Sequence, residues 1–324
     1  MHVLIIGAAG MIGRKLTTRL MADKHLNGQP LSRCTLFDVV APASVVSDTV
    51  EVQTVTGDLS APGVAERLMV TRPDVIFHLA AIVSGEAEQD FDKGYRINLD
   101  GTRHLLEAVR QAAHQPQLIF TSSIAVFGAP FPEPIPDQYQ HTPLTSYGTQ
   151  KAICELLISD YSRKGFVQGV ALRLPTICVR PGKPNAAASG FFSSIIREPL
   201  NGQTAVLPVS DDVLHWHASP RAAVGFLLHA TTLSAGELGA QRGLTLPGVA
   251  VTVGEQIAAL KRVAGQEVSE RIIRQPDPFV QGIVAGWPRR FTAERALSLG
   301  FRAENSFEEI IRVHIEDELG GVIM

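Results

Sequence analysis

His2-Val3-Leu4-Ile5-Ile6 runs straight into Gly7-Ala8-Ala9-Gly10-Met11-Ile12-Gly13. His2–Ile6 is a short apolar run, the pattern of a strand buried on both faces. From Met11 to about Met21, apolar residues recur at helical spacing. The glycines between strand and helix have separate tasks. Gly7 permits a tight turn, Gly10 lets backbone approach a pyrophosphate, and Gly13 lets the helix pack close to the sheet. Loop N–H groups, with Met11 and Ile12 opening the helix, then face negative phosphates. Downstream, Asp38 closes the strand at Leu36–Phe37. A carboxylate there can accept hydrogen bonds from an adenosine ribose and repels a 2′-phosphate. Val39 and Val40 follow, where an NADP site would carry Arg, so the expected cofactor is NAD.

Working outward, strand-like and helix-like segments alternate. Cys34–Phe37, Val50–Val55, Val75–Leu79, Leu118–Thr121 and Val170–Leu174 read as strands. Asp92 to Ala113 reads as one long amphipathic helix and Ser146 to Arg163 as another. Asp23 to Arg33 reads as a surface loop. The alternation predicts an α/β fold with a Rossmann-type, doubly wound parallel sheet. After Pro175 the segments shorten and Pro and Gly cluster. Helical spacing recurs at Pro220–Ala230, Gly254–Ala264, Thr292–Leu299 and Ser306–Leu319. The expected organisation is an NAD-binding domain over residues 1–174 and a smaller substrate-binding lobe over 175–324, with segments of the latter returning to the first domain.

Composition narrows the function class. The chain has 324 residues, 45% hydrophobic and 19% charged, which excludes disorder. Its net charge is −3 without a basic stripe, which argues against nucleic acid as partner. No run approaches the roughly 18 apolar residues of a membrane span. Cys34, Cys154 and Cys178 are too few and scattered for a disulfide framework or a zinc site. A cytoplasmic location without metal or membrane is expected.

The candidate chemistry lies further on. Tyr147 and Lys151, four residues apart on a predicted helix, share one face. A tyrosine with a pKa of about 10 is a poor base, and a nearby ammonium stabilises its phenolate. Thr121-Ser122-Ser123 ends a sheet strand, where such folds place ligand-contacting groups, and Ser123 can hydrogen-bond a substrate hydroxyl or carbonyl. Asp58-Leu59 follows the third strand, beside the expected adenine edge; Asp58 also suits a helix N-cap before Ala61 to Leu68. His215 and His217 flank Trp216 on a predicted strand, where packing, substrate contact and metal binding all stay open.

Five motifs stand in a telling order: Gly7-x-x-Gly10-x-x-Gly13, His78-Leu79-Ala80-Ala81, Asn98-x-x-Gly101-Thr102, Ser122-Ser123-x-x-Val126-Phe127-Gly128 and Tyr147-Gly148-x-x-Lys151. With Leu172-Arg173 and Arg180-Pro181-Gly182, they resemble the extended short-chain dehydrogenase/reductase family, which includes NAD-dependent epimerases and dehydratases. The resemblance implies that Tyr147 is the general acid/base, Lys151 its partner and a ribose ligand, and Ser123 a substrate hydrogen-bond donor. It further implies that Leu79, Ala80 and Ala81 line the cofactor path, that Asn98 supports the helix carrying the site, and that backbone at Pro175 and Thr176 meets the nicotinamide end. Dimerisation through the helices at 92–113 and 146–163 is the family habit.

Phe127 stands where the family often has Tyr, and His215-Trp216-His217-Ala218-Ser219-Pro220-Arg221 departs from the signature of nucleotide-sugar enzymes. The stretches Leu172–Phe192 and Gly286–Phe291 instead resemble a subgroup acting on small four-carbon sugar acids, which implies oxidation of the C2 hydroxyl to a 2-oxo acid. Such a substrate needs a local cation or a cluster of donors for its carboxylate. Arg180, Lys183, Arg221, Arg289 and Arg290 are the candidates, with Ser84 and Asn185 for its hydroxyls. The alternatives are a nucleotide-sugar 4-epimerase or dehydratase on the same scaffold and a non-catalytic NAD-binding protein.

Overall fold

Seven strands build the main sheet of the computed structural model, which describes residues 1–182 and 189–323. They are β1 (His2–Ile6), β2 (Arg33–Asp38), β3 (Glu51–Thr56), β4 (Val75–His78), β5 (Gln117–Ser123), β6 (Gln168–Leu174) and β7 (Gly243–Thr245). Their order across the sheet is β7-β6-β5-β4-β1-β2-β3. β1 lies centrally between β2 and β4, and the pairings β3–β2, β2–β1, β1–β4 and β4–β5 are all parallel. Chain direction thus reverses its progress across the sheet between β1 and β4, the switch point at which doubly wound sheets bind ligands.

Register decides what gathers there. Ile6 pairs with Phe37 on one side and His78 on the other, and His78 pairs with Phe120. The glycine-rich loop, Asp38, Leu79–Ala81 and Thr121–Ser123 therefore gather at the same, C-terminal end of the strands. Burial on both faces explains the unbroken apolar strands, since every residue of β1 and β4 is buried. Helices α1 (Met11–Asp23), α2 (Val64–Met69), α3 (Gly101–Ala112) and α4 (Ser146–Arg163) follow β1, β3, β4 and β5. Leu4, Ile6, Ile76, Leu118 and Phe120 of the sheet pack with Leu68, Leu105, Val109 and Ile158 from α2, α3 and α4.

The chain divides into two units: Met1–Ser123, Thr145–Arg173 and Val224–Leu244 form the first, and Ile124–Leu144, Leu174–Ala223 and Thr245–Met324 the second. In the second, Leu214–Ala218 pairs antiparallel with Val249–Thr252 and parallel with Thr176–Ile177. Its own core joins Phe192, Ile195 and Leu200 to Leu260, Phe307 and Ile311. The helix Val253–Ala264 starts at a capping box in which Thr252 and Glu255 each bond the other's backbone N–H.

Two local expectations are corrected. The segment 23–33 holds a hairpin in which His25–Leu26 pairs with Gln29–Pro30. Asn27 (φ 50°) and Gly28 (φ 72°) form its turn, the Asn-Gly pair that a two-residue hairpin favours. The long helix expected from 92 is interrupted: Phe91–Gly94 is α-helical, Tyr95–Asp100 is a π-helix, and α3 resumes at Gly101. Such wide turns displace side chains from the regular helical face. Here Asn98 lies inside the wide turn, with its amide bonded outside the helix.

Candidate active site

The glycine-rich loop is held by the sheet itself. The N–H groups of Gly7 and Ala8 both donate to the Phe37 carbonyl, at 2.9 and 3.1 Å. Gly7 has φ +94°, and a Cβ there would stand 2.6 Å from the Ala80 nitrogen. A Cβ on Gly13 would meet the Gly7 carbonyl oxygen at 2.2 Å. Both positions therefore require glycine. α1 begins with Gly10 as N-cap, without a side-chain cap and without an acidic residue in its first turn. An N-terminus without a side-chain cap or a neighbouring carboxylate suits an anion such as a dinucleotide pyrophosphate.

Asp38 does more than its position in the sequence implied. Its Oδ2 accepts from the Ala9 N–H at 2.9 Å and its Oδ1 from Val40 N–H at 3.2 Å. The carboxylate thus ties the end of β2 to the glycine-rich loop. Val39 and Val40 beside it are 67% and 64% exposed, an apolar surface next to the ribose-binding carboxylate expected there.

Asp58 accepts from the N–H and Oγ of Ser60, at 2.9 and 2.6 Å, and pairs with Arg96 Nη1 at 2.6 Å. Burial raises its pKa, but the Ser60 bonds and Arg96 outweigh that and hold it below the usual value. Asp58 is not a helix N-cap, because α2 starts only at Val64 with Gly63 at that position. The Leu59 side chain packs in the core. Leu79, Ala80 and Ala81 are half-buried, and the N–H groups of Leu79 and Ala80 donate to Ile6 O. Asn98 is 3% exposed; it accepts from Ile82 N–H and donates to Gln150 Oε1 at 2.8 Å, so it links the segment after β4 to α4.

α4 starts at Thr145, whose side chain accepts from Gly148 N–H. Its first turns bring Tyr147 to Ser123, and the two share a hydrogen bond. Lys151 is 2% exposed and donates from Nζ to the Thr121 carbonyl at 2.7 Å. Its Nζ lies 4.4 Å from the Phe120 ring centroid and 5.6 Å from that of Tyr147. Burial pulls the Lys151 pKa down to about 8, with Cys154 and Glu155 opposing. One expectation is overturned. Burial pushes the Tyr147 phenol up to about 12, and Ser123, not Lys151, is the group that pulls it back. The ammonium is directed at a backbone carbonyl and a ring face rather than at the phenol oxygen. Beneath the site, burial and then Lys151 push His78 down to about 3, so it is neutral.

Ser84 opens the helix Ser84–Gln89 and is half-buried. In the second unit, Pro175 is buried and the Thr176 hydroxyl bonds His215 Nε2 at 2.7 Å. This contact, between residues 39 positions apart, has no local sequence signal. His215 stacks on Phe192 and approaches Trp287, while His217 meets Phe192 and Phe307 edge-on. Both histidines are buried, and burial lowers their pKa values. Among the described residues no cluster of His, Cys, Asp and Glu could hold a metal ion. Asn185 and Lys183 lie outside the described residues.

The basic residues differ sharply. Arg221 pairs with Glu316 and Asp317, and Arg289 and Arg290 are exposed. Arg180 is half-buried, and its Nη2 donates to the Ser189 hydroxyl at 3.2 Å. Burial lowers its pKa and, among the described residues, no carboxylate raises it.

The order of the sheet, the glycine-rich loop and the Ser–Tyr–Lys group place the chain among known proteins. The sequence profile of the NAD dependent epimerase/dehydratase family matches residues 3–218. The chain belongs to that family. NAD is accordingly its cofactor, and it is an NAD-dependent oxidoreductase. No helix among the described residues is long and apolar enough to cross a membrane. A Cupriavidus necator protein named D-erythronate dehydrogenase is 51% identical over 98% of both chains. A Haemophilus influenzae protein of the same name is 44% identical over 98% of this chain and 100% of its own. The crystal structure of an Agrobacterium tumefaciens family member, described as a nucleoside-diphosphate-sugar epimerase, is 61% identical, with a TM-score of 0.98 over 100% of this chain and 96% of its own.

Proposed function

We propose that the protein oxidises the C2 hydroxyl of D-erythronate to 2-oxo-erythronate. The observation that carries this reading is the joining of Ser123, Tyr147 and Lys151 at the end of the strands that also bears the glycine-rich loop. The names of the Cupriavidus and Haemophilus relatives support the substrate. The loop residues Gly7, Gly10, Met11, Ile12 and Gly13 hold the pyrophosphate, and Asp38 holds the adenosine ribose. Asp58, Leu59, Leu79, Ala80, Ala81 and Asn98 line or brace the rest of the cofactor path, with Pro175 and Thr176 at its far end.

NAD, when bound, supplies the hydride acceptor. Tyr147 takes the C2 hydroxyl proton as that carbon gives up its hydride, and Ser123 holds the same oxygen through the transition state. Lys151, fixed by Thr121, contributes positive charge to the catalytic group and a donor to the ribose. Of the basic residues considered, Arg180 best suits the substrate carboxylate, because its guanidinium is partly desolvated and, among the described residues, no carboxylate raises its pKa. Ser84 and Asn185 are proposed for the hydroxyls. The buried, unpaired thiols of Cys34, Cys154 and Cys178 agree with a reducing cytoplasm.

Tyr147→Phe tests the assignment. Turnover, followed as NADH at 340 nm, should fall by about two orders of magnitude or more; turnover near that of the parent refutes it. A second reading, nucleotide-sugar epimerisation, is favoured by the description of the Agrobacterium structure. It predicts conversion of a nucleoside-diphosphate sugar without net NADH, and no NADH from any C4 to C6 sugar acid.

A further inference from the structure

α4 presents a third residue on the face that carries Tyr147 and Lys151. Glu155 continues the four-residue spacing, and each of the three meets one of the last three residues of β5. Tyr147 bonds Ser123, Lys151 bonds the Thr121 carbonyl at 2.7 Å, and Glu155 Oε1 accepts from Ser122 Oγ at 2.5 Å. Glu155 is also gripped by Arg173 of β6: Nε lies 3.1 Å from both carboxylate oxygens and Nη2 lies 2.7 Å from Oε2. Glu155 is 2% and Arg173 7% exposed. β7 seals the pair, since a Cβ on Gly243 would stand 2.6 Å from Glu155 Oε2 and 2.7 Å from Arg173 Nη2.

A buried ion pair is poor value as a stabiliser. Removing two charges from water costs several kcal/mol, and apolar replacements of similar volume are often neutral or better. The arrangement is better explained by what it adjoins. We propose that Glu155 is a positioning residue for the catalytic group: with Ser122 and Arg173 it fixes the end of β5 against α4 and keeps Lys151 cationic. This rests on the roles assigned above to Ser123, Tyr147 and Lys151.

Among the described residues, these ionisable and polar groups face Lys151. Tyr147, Cys154 and Glu155 lie on its own helix, neutral His78 on β4, and the Thr121 carbonyl and Phe120 ring on β5. Burial favours the neutral amine, and Cys154 and the Glu155 carboxylate, which Ser122 and Arg173 hold in place, oppose it. Removing the Glu155 charge therefore lets Lys151 lose its proton at lower pH.

The test uses the full chain. Glu155→Gln keeps an acceptor for Ser122 but removes the charge. Glu155→Leu with Arg173→Met removes both charges and leaves no unpaired guanidinium, so it guards against misfolding of the single variant. Lys151 is titrated directly by NMR on protein labelled at lysine Cε, its resonance assigned by its loss in Lys151→Met. The expected result is a Lys151 midpoint lowered by at least half a pH unit, with the alkaline limb of sugar-acid oxidation moving the same way and KM for NAD within twofold. A midpoint and limb within 0.2 pH unit of the parent overturn the proposal. Failure of both variants to fold also overturns it, in favour of a purely structural pair. The lysine titration needs no turnover, so an error in the assigned reaction would show in Tyr147→Phe while this readout stood unaffected.

Discussion

Gly13→Ala probes the cofactor loop most directly. The added Cβ would lie 2.2 Å from Gly7 O, 2.7 Å from Ala8 Cα and 2.9 Å from Ala8 O. All three are backbone atoms, so no side chain can swing aside. Ordinary contact begins at 3.4 Å, which means α1 and the loop must separate by about 1.2 Å. Overpacking of this kind costs about 1–3 kcal/mol. The separation falls between the helix amides and the turn proposed to hold the pyrophosphate, so much of the cost should appear in binding. At about 1.4 kcal/mol per decade, the dissociation constant for NAD should rise about 10- to 100-fold. Calorimetric titration with NAD measures this, and circular dichroism checks the fold. Gly225→Ala is the control: it lies in the helix Pro220–Ala230 with nothing within 4 Å of its Cβ, and should bind NAD as the parent does. A folded Gly13→Ala protein binding NAD within twofold of the parent would refute the reasoning.

Three further outcomes are expected. Because burial pushes Tyr147 up to about 12, the phenol predominates at neutral pH. Single-turnover oxidation, which needs the phenolate, should rise about tenfold from pH 6 to 7, below the Lys151 pKa of about 8, while reduction of the 2-oxo acid should not; a flat or falling oxidation profile contradicts this. Arg180→Met should raise KM for the sugar acid by at least tenfold and leave NAD affinity unchanged, whereas an unchanged KM removes Arg180 from the substrate site. Asp38→Ser should narrow the preference for NAD over NADP at least tenfold, measured as the ratio of kcat/KM values; a parent enzyme preferring NADP would sink the role given to Asp38.

What the sequence made legible was local. His2–Ile6, Gly7–Gly13 and Asp38 are close enough in the chain for spacing alone to show a strand, a turn and a helix start. Tyr147 and Lys151 share a helix face for the same reason. The rest depends on partners brought together by the sheet. Nothing near Asp38 reveals that its carboxylate accepts the Ala9 N–H, because that contact needs β1 and β2 side by side. The Tyr147 pKa was misjudged because helical spacing shows proximity to Lys151 but not where the ammonium points, and Thr121 O takes it. The wide turn at Tyr95–Asp100 was likewise hidden, since an apolar face looks continuous until Asn98 is seen bonding Ile82 and Gln150. The Asn27-Gly28 turn, by contrast, has a local signal in the Asn-Gly pair itself.

The first unit closes with Val224–Leu244, long after its other segments. A fragment ending at Leu174 would carry the glycine-rich loop and the whole Ser123–Tyr147–Lys151 group, yet its sheet would stop at β6. That strand would then present an open edge, the usual template for aggregation. The Glu155–Arg173 pair would lose the glycine that covers it. During synthesis the same state exists for some 70 residues, until Gly243 has left the ribosome. Completion of the nucleotide-binding half thus waits on translation of most of the chain, and the strand made last is the one that shuts its flank.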